Sequence, residues 1–159
     1  MNYWQSEDSA APKELPQKTM FLISAFFDPM TNRVLQNLIN GVAAVTGNEF
    51  MLANSVPPHL TLCQLQTRNQ QQALVTAMQD LEQELKATIS DAPHTPINLV
   101  SCGDGIPNVV FAKALPSNEL RNLVGLVHEQ VTIVPEVRIS PHYLPETIYP
   151  HITLGKTLS

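Results

Sequence analysis

The feature that most restricts how this chain can fold is a pentad written twice. Residues 58–62 read PHLTL and residues 150–154 read PHITL, and each runs on in alternation, as HLTLCQL and HITLGK. Period-two alternation is the mark of a half-buried strand, because successive side chains leave an extended backbone on opposite sides. His59 and Thr61 therefore share one face, as do His151 and Thr153, while Leu60, Leu62, Ile152 and Leu154 are expected to point into a core. Pro58 and Pro150 open the two strands, where proline's missing N–H is tolerated.

The remaining periodicities supply the elements that would surround these strands. The apolar run TMFLISAFF, closed by Asp28-Pro29, predicts a buried central strand over residues 20–27. Between residues 31 and 46, Val34, Leu35, Leu38, Ile39, Val42 and Val45 recur at helical spacing, with Gly47 as the stop. A second helix carries Leu74, Met78, Leu81, Leu85 and Ile89 on one stripe, with Asn69 and Gln72 at capping offsets. A third, over residues 117–133, buries Leu120, Leu123, Val124, Val127 and Val131 and is opened by Ser117 or Asn118. Residues 97–115 read as a hairpin turning at DGIP, and the proline-rich stretch before the second pentad reads as loop with a short strand at PEVRI. The order strand, helix, pentad is followed by hairpin, helix, pentad, which has the form of an internal duplication.

With 159 residues the chain suits one domain. Residues 1–19 carry two prolines and no periodicity and are expected to form a flexible tail, leaving 20–159 as the folded unit. The formal net charge is -5, with nine Lys and Arg in total, which disfavours wrapping of long nucleic acid, since that affinity comes from many neutralised phosphates. The acidic N-terminus lacks the basic and apolar regions of a signal peptide, and no apolar run reaches membrane-spanning length, so a cytoplasmic protein, expected to be monomeric and without membrane contact, is the reading. Cys63 and Cys102 lack metal-site spacing and read as buried thiols.

Two His-x-Thr planks facing one cleft would bring two imidazoles and two hydroxyls together. An unperturbed imidazole titrates near ~6.5, so one ring can act as base while the other acts as acid. Hydroxyl donors suit the non-bridging oxygens of a phosphoryl group. Such a set fits attack on a phosphodiester with no metal, and no third ligand at helix or strand spacing suggests zinc.

On these two motifs the chain resembles the 2H phosphoesterase superfamily, defined by two His-x-Thr/Ser motifs each followed by an apolar residue and including 2′-5′ RNA ligase-like proteins and cyclic nucleotide phosphodiesterases. The resemblance covers residues 20–159. It implies an α+β fold, bilobal and pseudo-two-fold, with duplicated β-α units whose two antiparallel sheets flank a cleft and whose helices lie outside. It further implies His59, Thr61, His151 and Thr153 as the catalytic tetrad, no cofactor, and a 2′,3′-cyclic phosphate or 2′-5′ linkage of a nucleotide or RNA end as substrate. Several members carry an arginine shortly after the second motif, where this chain has Lys156, a less directional phosphate contact. Many stack a base on an aromatic residue before that motif, a part that Tyr143 or Tyr149 would take.

Other histidines read differently. His128 lies in the third helix beside its apolar stripe and is expected to be partly buried; His94 and His142 lie among prolines, the latter near enough to the second motif to line the cleft. Two other classes remain open on sequence alone: a module that binds a nucleotide or RNA end in the same cleft without turning it over, and a structural protein in which the pentads are ordinary strands.

Overall fold

The computed structural model describes residues 19–88, 97–99, 108–114 and 116–157, with the side chains of 86–88 and 97–99 also outside the description. The expected tail up to residue 18, Ile89, His94, Cys102 and the DGIP turn fall outside the described residues. The architecture is mixed α+β. In chain order it runs β1 (Thr19–Ala25), α1 (Pro29–Thr46), α2 (Phe50–Ala53), β2 (Leu60–Thr67), α3 (Gln71–Thr88), β3 (Ile97–Leu99), β4 (Val109–Ala114), α4 (Asn118–Thr132), β5 (Arg138–Ile139) and β6 (His151–Lys156). A 3-10 turn at Pro141–Tyr143 precedes β6. The strands form two antiparallel three-stranded sheets, β1-β2-β5 and β3-β4-β6. The pentad strand is central in the first sheet and an edge in the second.

Local chemistry sets the helix ends. Asp28 is the N-cap of α1: its carboxylate accepts from the Met30 and Thr31 amides at 3.0 Å each and from the Thr31 hydroxyl at 2.6 Å. Pro29 follows at the first helical position, where its absent N–H costs nothing. The Thr31 hydroxyl and amide, with the Met30 amide, hold the Asp28 carboxyl below its ordinary range. At the other end Gly47 adopts φ 69° and returns its N–H to the Ala43 carbonyl, a left-handed cap that a side chain would strain. Ser117 caps α4, accepting from the Leu120 amide at 3.1 Å. In front of α3, Asn69 takes φ 55° and closes a left-handed turn, while the Gln70 carbonyl accepts the first helical bond from Leu74; Asn69 thus shapes the entry without being the cap.

One hydrophobic cluster joins the elements. Leu60, Leu62, Cys63 and Leu65 of β2 and Ile152 and Leu154 of β6 meet Leu35 and Ile39 of α1, Leu74 and Leu81 of α3, and Leu120, Val124, Val127 and Val131 of α4. Each fully buried aliphatic side chain contributes roughly 1.5–3 kcal/mol, opposed by chain entropy. The helices reach across the sequence: α1 packs on β6, α4 packs on β2, and α3 covers α4.

Several expectations need correction. β1 is an edge strand, not a central one, and its exposure alternates, leaving Met20 and Leu22 more than half exposed. A continuous apolar run does not distinguish burial on both faces from an edge whose outer face is merely apolar. On α1, Val34 and Val45 point to solvent, so the buried stripe is the narrower Leu35, Leu38, Ile39 and Val42. The short α2 had no signal of its own, being one turn long. Expected features also stand: β5 forms at the end of PEVRI, β3 and β4 pair antiparallel, and His128 is buried.

Gly155 marks where α1 meets β6. A Cβ there would lie 2.6 Å from Cγ1 and 3.5 Å from Cβ of Val42. Gly155→Ala is expected to cost roughly 1–3 kcal/mol through overpacking, measured by urea denaturation, with much of the loss recovered when Val42→Ala is added to make room. Cys63 is fully buried, and burial pushes its thiol up to about 12. In a Cys102→Ser background, the native protein is expected to leave a thiol reagent at pH 8 unconsumed over the time in which denatured protein reacts completely, since only thiolate attacks.

Candidate functional site

The pentads supply two imidazoles held in the same way. His59 directly precedes β2 and His151 is the first residue of β6. Each ring places Nδ1 2.8 Å from the backbone carbonyl two residues earlier, Pro57 O for His59 and Tyr149 O for His151. A carbonyl oxygen only accepts, so Nδ1 must carry the proton and donate. That fixes the neutral tautomer at both sites and leaves Nε2 with its lone pair, the atom able to accept or, once protonated, return a proton. Both rings are half-buried, between a buried proline and a buried aliphatic residue.

The two strands also share an irregularity. The β1–β2 register passes from Ile23↔Cys63 to Ser24↔Thr61, leaving Leu62 as an extra residue. The β4–β6 register passes from Val110↔Gly155 to Phe111↔Thr153, leaving Leu154 extra. Each pentad thus has a bulge at its fifth residue, immediately after the threonine. A bulge inserts one residue and reverses the face parity beyond it. It lets Leu62 and Cys63, and likewise Leu154 and Gly155, be buried in succession while Gln64 and Lys156 return to the side that carries the threonines.

Cross-strand partners share a face, so the register identifies neighbours that the sequence alone did not. Ser24 lies opposite Thr61, and Leu22 opposite Gln64. Lys113 lies opposite His151, and Phe111 opposite Thr153. Phe111 is completely buried beneath an aromatic cluster: its ring meets Tyr149 edge-on at 5.9 Å and His151 edge-on at 5.7 Å, and Tyr149 is tilted against His151 at 6.3 Å. The Lys113 ammonium sits 4.9 Å from the centre of the Tyr149 ring, a cation–π contact. Ser24 and Lys113 were detectable only as polar residues interrupting apolar runs.

A cavity of about 660 Å³ opens at His151, lined by Gln64 of β2, by Tyr149, and by Pro141, His142, Tyr143 and Thr147 of the preceding loop. Residues of both sheets therefore border one space. The loop is folded back on itself by Thr147, whose hydroxyl donates to the Pro141 carbonyl at 2.9 Å, and is tied to β2 by the Ser140 amide, which donates to the Gln64 carbonyl at 2.7 Å. Both candidate tyrosines line the cavity. Tyr143 also packs against the core, and desolvation raises its phenol above the ordinary range.

Thr61 is buried and Thr153 half-buried on the faces of their histidines. Lys156 shares the face of Thr153 through the bulge, but its ammonium rests over the Phe50 ring of α2, 3.7 Å from the centroid, and it is not among the residues lining the His151 cavity. Among the described residues no three His, Cys, Asp or Glu side chains gather as a metal-ligand set, and no helix is long and apolar enough to cross a membrane. Comparison with protein-family models, curated proteins and solved structures returns no match.

Proposed function

We propose that the protein is a metal-independent phosphodiesterase of the two-histidine kind, acting on a 2′,3′-cyclic phosphate or a 2′-5′ linkage of a nucleotide or RNA end. The observation that carries this reading is the matched pair of imidazoles, each with Nδ1–H tied to the carbonyl two residues before it. The contact presets, at two equivalent positions, the tautomer that leaves Nε2 open for proton transfer. Two such rings in equivalent settings can divide the work of base and acid.

In this mechanism one Nε2 takes a proton from water as its oxygen bonds to phosphorus, and the other Nε2–H gives a proton to the departing ribose oxygen as its bond to phosphorus breaks. Thr61 and Thr153 hydroxyls donate to the non-bridging oxygens, where charge accumulates in the transition state. The cavity at His151, with Tyr143 and Tyr149 on its wall, would take the nucleoside. We further propose that the molecule is a duplicated, bilobal structure with a pseudo-two-fold axis between its sheets. This is supported by the equivalent bulges, the equivalent histidine contacts and the reciprocal packing of α1 on β6 and α4 on β2.

The deciding experiment is incubation with the four nucleoside 2′,3′-cyclic monophosphates and a 2′-5′ oligoadenylate, with and without EDTA, resolving 2′- from 3′-phosphate products. Turnover indifferent to EDTA is expected. Activity abolished by EDTA would refute the metal-independent mechanism, and tight binding with no product over hours would make the site a nucleotide-binding module.

A further inference from the structure

Beyond the His151 cavity, the same face of β1-β2-β5 continues into a second, smaller hollow of about 280 Å³. Gln64, Pro141 and His142 line both spaces, while Met20, Gln66 and Arg138 line the second alone. The two are thus neighbours along β2 with a common wall. Register puts Arg138 opposite Gln66, and Gln66 opposite Met20. Since Met20, Leu22 and Ser24 alternate along β1 and Ser24 lies opposite Thr61, Arg138 and Gln66 belong to the threonine-bearing face.

The chemistry of this hollow differs from that of the first. It ends at a guanidinium, whose planar fork matches a phosphate's oxygens in a way an ammonium does not. Gln66 adds an amide that both donates and accepts, and Met20 and Pro141 add apolar surface. The Gln64 amide donates to the Met20 thioether sulfur at 2.9 Å, a weak acceptor that a ligand oxygen would readily replace. With nine Lys and Arg in a chain of net charge -5, an arginine here is not part of a general basic surface.

We infer that this hollow is a subsite for the nucleotide next to the reacting phosphate, with Arg138 holding its phosphodiester. The preferred substrate is then the end of an oligonucleotide and not a lone nucleoside cyclic monophosphate. The identity of the reacting group rests on the phosphodiesterase reading; the grip on a second phosphate does not.

The test compares adenosine 2′,3′-cyclic monophosphate with an adenylyl dinucleotide ending in the same cyclic phosphate, and measures in parallel the dissociation constants of the two corresponding unreactive 3′-phosphates. In the wild type the dinucleotide is expected to exceed the mononucleotide in kcat/KM by about 10-fold or more, the worth of one charge-assisted contact. That ratio falls toward one in Arg138→Ala. It also falls in Gln66→Glu, which sets a carboxylate in the hollow while leaving Arg138 in place. A wild-type ratio near one overturns the subsite, as does an Arg138→Ala variant that slows both substrates by the same factor. If neither substrate is turned over, the cyclic-phosphate form of the phosphodiesterase reading fails and the dissociation constants decide. Dinucleotide binding no tighter than that of adenosine 3′-phosphate then overturns the subsite, and a 10-fold advantage lost in Arg138→Ala upholds it.

Discussion

His59→Ala and His151→Ala are each expected to lower kcat/KM for a cyclic phosphate by roughly 10²- to 10⁴-fold, the range for loss of a positioned acid or base. Each ring is tied to a local carbonyl and not to the other ring, so either substitution should leave the partner's tautomer intact and the fold close to native. The double variant should lose far less than the product of the two single losses, because base and acid act in one step and the second removal takes away little that still works. Wild-type protein should give a bell-shaped pH profile of kcat/KM, one limb from the ring that must be neutral and one from the ring that must be protonated. Each single variant should keep only one limb. Initial rates across pH on purified variants, with circular dichroism to confirm folding, provide the check. Full activity in His59→Ala would end the two-histidine mechanism.

The two His-x-Thr planks were legible in the sequence because they depend on short-range alternation and on a pattern present twice. The inward leucines and isoleucine followed from the same period, and Leu60, Leu62, Ile152 and Leu154 are indeed buried. What was not legible depends on partners distant in the chain. Neither bulge has a residue of its own: Leu62 and Leu154 look like ordinary strand leucines, and the parity change appears only when Ser24 and Phe111 are seen opposite the threonines. The edge position of β1 is set by which strands pair with β2, a choice made between residues distant in the chain, from Ala25 and Leu60 to Leu65 and Ile139. Lys113 and Arg138 were hidden for the same reason, being brought beside the site by β4 and β5 and not by their own sequence neighbours. Val34 and Val45 failed as core residues because helical spacing defines a stripe without saying how wide a stripe the neighbours cover.

The largest effect on stability is expected at Phe111. Its side chain is completely buried on the face of sheet β3-β4-β6 that carries His151, and the Tyr149 and His151 rings both rest against it edge-on. Phe111→Ala would remove the floor of that cluster and leave a cavity, at a cost of about 3–5 kcal/mol, against a total stability of about 5–15 kcal/mol for an ordinary domain. In a chain of this length that corresponds to a fall in Tm of roughly 10 °C or more. Phe111→Leu keeps most of the apolar volume but removes the edge-to-face contacts, which are worth about 0.5–1.5 kcal/mol each, and should therefore cost much less stability. The two effects separate because packing volume supports the fold, whereas ring geometry orients the imidazole. Phe111→Leu is expected to melt within a few degrees of wild type yet lose about tenfold in kcat, since a histidine free to rock about its Nδ1 contact presents Nε2 less often at the reactive angle. Thermal denaturation and steady-state kinetics on both variants distinguish the roles. Equal losses of stability and turnover in Phe111→Leu would mean that Phe111 serves the core alone and that His151 is oriented by the Tyr149 carbonyl without help from below.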